Sequence, residues 1–255
     1  MPPDTGNVIR IGMWSGPRNL STALMRSWES RQDTIVHDEP FYASFLHRTG
    51  IDHPMRRETL AEGVVDPALV IADLLRDLPR GTIYYQKQMA HHLPPGLDLD
   101  WILQLRNCLL IRDPRQMLGS LLKETPAAGL EDTGLPQQHM LIDFLLDRLQ
   151  EPPPIVDARD ILEDPEGMMR AICSRLGVCY DPGQLSWKAG TRDTDGPWAA
   201  HWYGSVTAST GFAPYVRKDV HIPEDKQPLL QECIGLYEPL HRQRLRPEAG
   251  KPDQV

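Results

Sequence analysis

The sequence predicts an α/β fold, with a mostly parallel central sheet flanked by helices. Three observations carry that expectation. Short apolar runs rich in β-branched residues alternate with segments whose apolar residues keep helical spacing, the pattern of crossover units. Nearly every polar cluster follows one of these runs directly, where ligands bind in parallel sheets. No internal repeat and no Gly/Ser-rich linker divides the 255 residues, so a single domain is expected over 1–245 with a disordered tail at 246–255.

VIRIGMW (8–14) lacks polar alternation and reads as a strand buried on both faces. Leu20, Leu24 and Trp28 follow at spacing four and predict a helix over 20–31 with one apolar stripe. TIVH (34–37) is a second strand, leading into DEPFYASFL. Asp66-Pro67 pairs an N-cap with proline at the first helical position, and Val70, Ile71, Leu74, Leu75 and Leu78 carry that helix to Pro79. GTIYYQK (81–87) is a third strand and NCLLIRD (107–113) a fourth. Helices are expected from Pro114 to Glu124 and over 136–150, the latter through Met140, Leu141, Phe144, Leu145 and Leu149. PPPIVDARD (152–160) contains a fifth strand, and a helix from Pro165 to Leu176 closes at Gly177. Periodicity fails from 183 to 222, where long ordered loops are expected, and a last helix covers 224–242.

With 27 Lys+Arg against 35 Asp+Glu the net charge is −8, a poor balance for nucleic-acid binding, whose energy comes mainly from phosphate contacts. Local basic clusters remain compatible with one small anion. MPPDTGNVIR shows no basic stretch leading into an apolar core, and no run of 18 apolar residues occurs, so neither a leader nor a membrane span is expected and the chain reads as cytoplasmic. Cys108, Cys173, Cys179 and Cys233 are scattered without a C-x-x-C pair and read as reduced packing residues, not zinc ligands.

SGPRNLST, residues 15–22, links the first strand to the first helix. Ser15, Gly16, Pro17, Arg18, Asn19, Leu20, Ser21 and Thr22 together supply first-turn N–H groups, the positive end of a helix dipole, the Arg18 guanidinium and the Ser21 and Thr22 hydroxyls. That set suits a tetrahedral oxyanion, although G-x-x-x-x-G-K-[ST] is absent. An ordinary βα turn with a capping Asn or Ser is the alternative. A second cluster follows the fourth strand, where Arg112 stands at the strand end and Ser120 lies on the next helix; the two can converge on another phosphate or simply face water.

Here the residues resemble a known family. SGPRNLST resembles the 5′-phosphosulfate loop of the sulfotransferases, usually P-K-S-G-T-T, with Arg18 in place of lysine. LLIRDPRQMLGSLLK resembles their 3′-phosphate site, with Arg112 and Ser120 in the matching positions. KQMAHHLPPG (87–96) resembles their K-T-H-L-P segment, HDEPFYASF resembles bacterial members with a glutamate after the second strand, and VDARDILEDPEGMMRAICSRLGV (156–178) resembles Y-E-D-L-x-x-D-P…L-G. TRDTDGPWAAHWYGS (191–205) echoes the C-terminal R-K-G…G-D-W-K segment through Arg192, Gly196 and Trp198. The resemblance implies a sulfotransferase-like, P-loop-related fold and the donor 3′-phosphoadenosine 5′-phosphosulfate (PAPS), with no metal. Arg192 and Trp198 join the implied donor-binding set.

Sulfuryl transfer spreads negative charge over the moving group, so Arg18, the loop N–H groups and Lys87 are candidate stabilisers; Lys87 is otherwise a solvated strand-end lysine. A base must take the acceptor's proton. Glu39 ranks first, His92 second and His91 third, against solvation or, for the acidic pair, a helix cap supplied by Asp38. Pro40 steers Glu39 away from αR and towards an extended conformation. Trp198, His201, Trp202 and Tyr203 line an acceptor pocket, stack on adenine or pin a loop. Phe41, Tyr42 and Phe45 wall the acceptor side or fill helix core. The expected activity is transfer from PAPS to a hydroxyl or amine of a small-molecule acceptor, with no nucleic-acid or membrane partner and with monomer and homo-oligomer both open. A phosphotransferase on the same scaffold and a non-catalytic nucleotide- or anion-binding protein are the rivals.

Overall fold

The apolar runs pair into one sheet of five parallel strands, in the order β2-β3-β1-β4-β5. The strands are β1 (Ile9–Ser15), β2 (Thr34–Asp38), β3 (Ile83–Met89), β4 (Arg106–Ile111) and β5 (Ile155–Asp157). These come from a computed structural model that describes residues 6–247. The expected disorder of 246–255 falls, beyond residue 247, outside the described residues.

Strands without polar alternation must be covered twice. On one face Ile11 and Met13 pack with Leu24, Met25 and Trp28 of α1 (Ser21–Glu29) and Met168, Met169 and Ile172 of α8 (Pro165–Arg175). On the other, Trp14, Leu109 and Ile111 pack with α4 (Pro67–Leu74), α5 (Pro114–Glu124), α6 (Leu135–Leu149) and α11 (Gln227–Arg242). Cys108, Cys173 and Cys233 are buried free thiols, whereas Cys179 is exposed.

Several boundaries move for local reasons. The helix expected over 20–31 starts only at Ser21, because Leu20 sits at φ 75°. The helix expected to reach Pro79 stops at Leu74. Its last carbonyls and those beyond serve other partners: Gln86 Nε2 donates to Leu74 O, and Arg10 donates to Leu75 O and Arg76 O. Four helices in unassigned stretches, α2 (Tyr42–Thr49), α3 (Arg56–Glu62), α9 (Ala199–Trp202) and α10 (Gly204–Thr207), and α7 (Ala158–Glu163), are too short for a clear period.

β1 and β4 are neighbours whose connections leave in opposite directions, β1 towards β2 and β4 towards β5. A crevice opens at such a switch point beyond the strand ends. Gln138 of α6 fixes it, its side-chain amide donating to both Trp14 O and Leu110 O at 3.0 Å.

Candidate active site

The β1–α1 loop fills that crevice. Gly16 is required there by close approach, since a Cβ would lie 2.1 Å from Thr133 O. Arg18 (φ 60°) and Leu20 (φ 75°) both take left-handed backbone around Asn19, a turn of the kind that points successive N–H groups inward. No side chain caps α1, and the first amide that bonds back into it is that of Leu24, to Leu20 O. The N–H groups of its first turn are thus left for an anion. Asn19 Oδ1 is buried without a partner.

The loop and the cluster after β4 are in direct contact. Arg18 Nε donates to Ser120 Oγ at 2.9 Å, and Arg112 Nη1 donates to Arg18 O at 2.5 Å. Burial and the neighbouring Arg18 charge push the Arg112 pKa down, and Asp157 opposes them only in part. Expected as separate sites, the clusters form one basic wall.

The second half of the site is built by register. β2 and β3 place Asp38 opposite Lys87, and both side chains are about 1% exposed. Lys87 Nζ donates to Asp38 Oδ1 (2.8 Å), Glu39 Oε1 (2.5 Å) and Tyr203 Oη (2.7 Å). Tyr203 in turn donates to Asp38 Oδ2 at 2.7 Å and accepts from Trp198 Nε1 at 3.1 Å. Burial works against the ammonium, but Asp38 and Glu39 outweigh it and hold the Lys87 pKa above the usual lysine range. Burial raises Glu39, opposed by Lys87.

Glu39 is not extended as its place before proline suggested; its φ is 43°. Its N–H continues the ladder to Lys87 O (3.0 Å) while its carbonyl accepts from Tyr42 N (2.9 Å), so Glu39 is both the last ladder donor and the start of the three-residue turn into α2. That backbone costs on the order of 1–3 kcal/mol and turns the carboxylate into the cavity. Asp38, read as a helix cap, serves Lys87 and Tyr203 instead, and α2 has no side-chain cap.

One cavity of about 650 Å³ joins the two halves. Pro17 to Ala23, Arg112 and Ser120 line it, as do Leu162, Phe212, Glu39 and Tyr203. Tyr42, Phe45, His53, His91, His92 and Trp202 give the cavity an aromatic wall. His92 packs against both Tyr42 (4.8 Å, interplanar 9°) and Phe45 (4.7 Å, 26°), with Nδ1 3.9 Å from Glu39 Oε2. Burial drives the His92 pKa well below its usual value and takes His91 to about 3, so both rings are neutral.

Among the expected site residues, Ser15 and Gly16 underlie the loop, and Lys87 lies beneath the cavity, spent on two carboxylates and a phenol. Arg192 and Trp198 do not line the cavity. Arg192 Nη groups donate to the carbonyls of Lys188, Gly190 and Thr191, with Nε 3.6 Å from Glu29; Trp198 packs edge-on against Tyr42 as a loop pin. Phe41 joins the core beside Trp101, and His201 faces Glu124. Asp38 as a partner of Lys87 and Tyr203 as a member of the network are not legible in the sequence; Asp38 ends β2, whereas β3 runs two residues past Lys87, and only the register pairs them.

A family model described as "Sulfotransferase domain" matches residues 9–243. Two curated proteins of Arabidopsis thaliana, branched-chain-amino-acid aminotransferase-like proteins 1 and 2, are 36% and 34% identical over 229 residues. The match covers 89% of this chain and 40% of each of theirs, so the chain spans about two-fifths of the length of these relatives. Among solved structures, a sulfotransferase from Alicyclobacillus acidocaldarius superposes with a TM-score of 0.53 at 12% identity, covering 93% of this chain and 97% of that one, a likeness of fold. Among the described residues no helix is long and apolar enough to cross a membrane.

Proposed function

The chain belongs to the sulfotransferase domain family, and from that premise we propose that it moves a sulfuryl group from PAPS to a hydroxyl or amine of a small acceptor. The observation that carries this reading is the junction, inside one cavity, of an anion cradle of first-turn amides with a carboxylate that keeps one oxygen uncommitted. The first-turn amides of α1 and Arg18 suit the 5′-phosphosulfate, Arg112 and Ser120 the 3′-phosphate, and Leu162 with Phe212 offers an apolar seat for adenine in place of Trp198.

In the transfer the acceptor oxygen attacks sulfur, the bond from sulfur to the phosphate oxygen breaks, and 3′-phosphoadenosine 5′-phosphate leaves. Positioning and electrostatics supply most of the rate. The acceptor's proton goes to Glu39 Oε2, because Oε1 already accepts from Lys87. Lys87 acts on the base and not on the moving group. The aromatic wall holds the acceptor, and its neutral imidazoles add polar contacts without charge.

Incubation with ³⁵S-labelled PAPS and a panel of phenols, alcohols and amines tests the reading. Labelled acceptor with release of 3′-phosphoadenosine 5′-phosphate is the expected result; no labelled product from any acceptor class would sink it.

A further inference from the structure

Tyr203 stands outside the strand-end segments that build the rest of the base network. It lies between α9 and α10, in the stretch where periodicity fails, yet its side chain is buried to 4% exposure against β2 and β3. Its oxygen is saturated: it donates to Asp38 Oδ2, with Glu39 Oε1 a longer second acceptor at 3.4 Å, and accepts from Lys87 Nζ and Trp198 Nε1. Lys87 is saturated as well, with one hydrogen each for Asp38, Glu39 and Tyr203. Both Asp38 oxygens are occupied. Around the square of Asp38, Lys87, Tyr203 and Glu39, a single carboxylate oxygen remains without a hydrogen bond, Glu39 Oε2, which has His92 Nδ1 at 3.9 Å.

We propose that Tyr203 is a positioning residue for sulfuryl transfer: its hydroxyl completes the Asp38–Lys87–Glu39 network, fixes Glu39 Oε2 as the free oxygen, and ties that base to the 199–207 wall of the cavity. This rests on the transferase reading above. The physical basis is competition for one cation. Asp38 and Glu39 share the Lys87 ammonium, and the proton that Tyr203 donates offsets charge chiefly on Asp38 and, at 3.4 Å, on Glu39 Oε1. Without it Asp38 claims more of Lys87, and Glu39 holds its negative charge less well. The groups facing Glu39 are Asp38 of β2, Lys87 of β3, His92 beyond β3, Tyr42 of α2 and Tyr203 itself. Tyr42 and Tyr203 are protonated phenols and His92 is neutral, so Asp38 and Lys87 dominate the balance.

The test is a carboxyl ¹³C titration of Glu39 in the ligand-free full chain, assigned with Glu39→Gln, in wild type, Tyr203→Phe and Asp38→Asn. Tyr203→Phe keeps the ring over Lys87 (5.1 Å from Nζ to the centroid) and removes only the hydroxyl. Its Glu39 titration moves to higher pH, while Asp38→Asn, which removes the competing charge, moves it to lower pH. In the labelled-transfer assay the kcat of Tyr203→Phe falls about tenfold with nucleotide KM unchanged, and the acid limb follows the titration. Opposite shifts are not produced by mere loosening of a loop. A Glu39 titration identical to wild type in both variants, or shifted the same way in both, would overturn the proposal. Absence of labelled product from wild type would instead overturn the transferase reading. If Tyr203→Phe does not fold, Asp38→Asn decides alone: a shift to lower pH supports the network and no shift refutes it.

Discussion

Arg18 Nε donates to Ser120 Oγ across 102 residues of sequence, at 2.9 Å. Arg112 closes the same corner by donating to the Arg18 carbonyl. This contact places the two candidate anion-binding clusters side by side, which suits one nucleotide carrying both a 3′- and a 5′-phosphate. It also means that the phosphate loop and the β4 cluster are not independent in binding.

Loss of one charge-assisted hydrogen bond costs about 1.5–3 kcal/mol, so Arg112→Ala should weaken binding of adenosine 3′,5′-bisphosphate roughly 10- to 150-fold. Binding of AMP should weaken less, through the lost Arg112 bond to the Arg18 carbonyl alone. Calorimetry showing that wild type binds the two nucleotides equally would remove the 3′-phosphate from this corner.

Arg18 touches Ser120 through Nε alone, which leaves its Nη groups for the moving sulfuryl group. Arg18→Ala should therefore lose more in kcat than in nucleotide affinity, since charge on the transferred oxygens grows towards the transition state. Arg18→Lys keeps the charge but not the bond to Ser120, and should retain substantial turnover. A fully active alanine variant would show that the loop does not hold the transferring group.

Glu39→Gln keeps size and removes the base, and should cut kcat by about 10²–10⁴-fold with nucleotide affinity nearly unchanged. His92→Ala and His91→Ala should each cost less. Burial raises the Glu39 pKa, and a base works only when ionised, so activity should fall with acidification at a pH above the ordinary glutamate range. A Glu39→Gln variant within a few-fold of wild type, beside a collapsed His92→Ala, would transfer the role to the histidine.

His91 and His92 also set an acid limit on stability. Their pKa values lie below the unfolded value of 6.5, that of His91 at about 3, chiefly through burial. The unfolded chain then binds more protons, so stability is full above pH 6.5 and declines as pH falls towards 3. Melting temperatures should drop between pH 7.5 and 5, and less steeply in His91→Gln. Parallel curves for the two proteins would contradict the neutral buried ring.

Much of this protein was legible in one dimension. Apolar runs such as VIRIGMW and NCLLIRD must be covered on both faces, and their alternation with helical spacing leads to a parallel sheet. Arg18, Arg112 and Ser120 could be named from the sequence because a strand end and the helix after it are local, and anion chemistry selects few residue types. Glu39 followed from its place directly after β2. Tertiary structure alone decided the rest. Lys87 looks like a solvated strand-end lysine until the β2–β3 register sets Asp38 against it. Tyr203 arrives from 116 residues further along the chain, out of a segment with no period to read. Arg192 and Trp198 matched a motif in part, yet the loop bearing them packs outside the cavity. Spacing along a chain encodes which groups share a strand or a helix face, whereas the sharing of one ammonium among two carboxylates and a phenol depends on how separate elements pack.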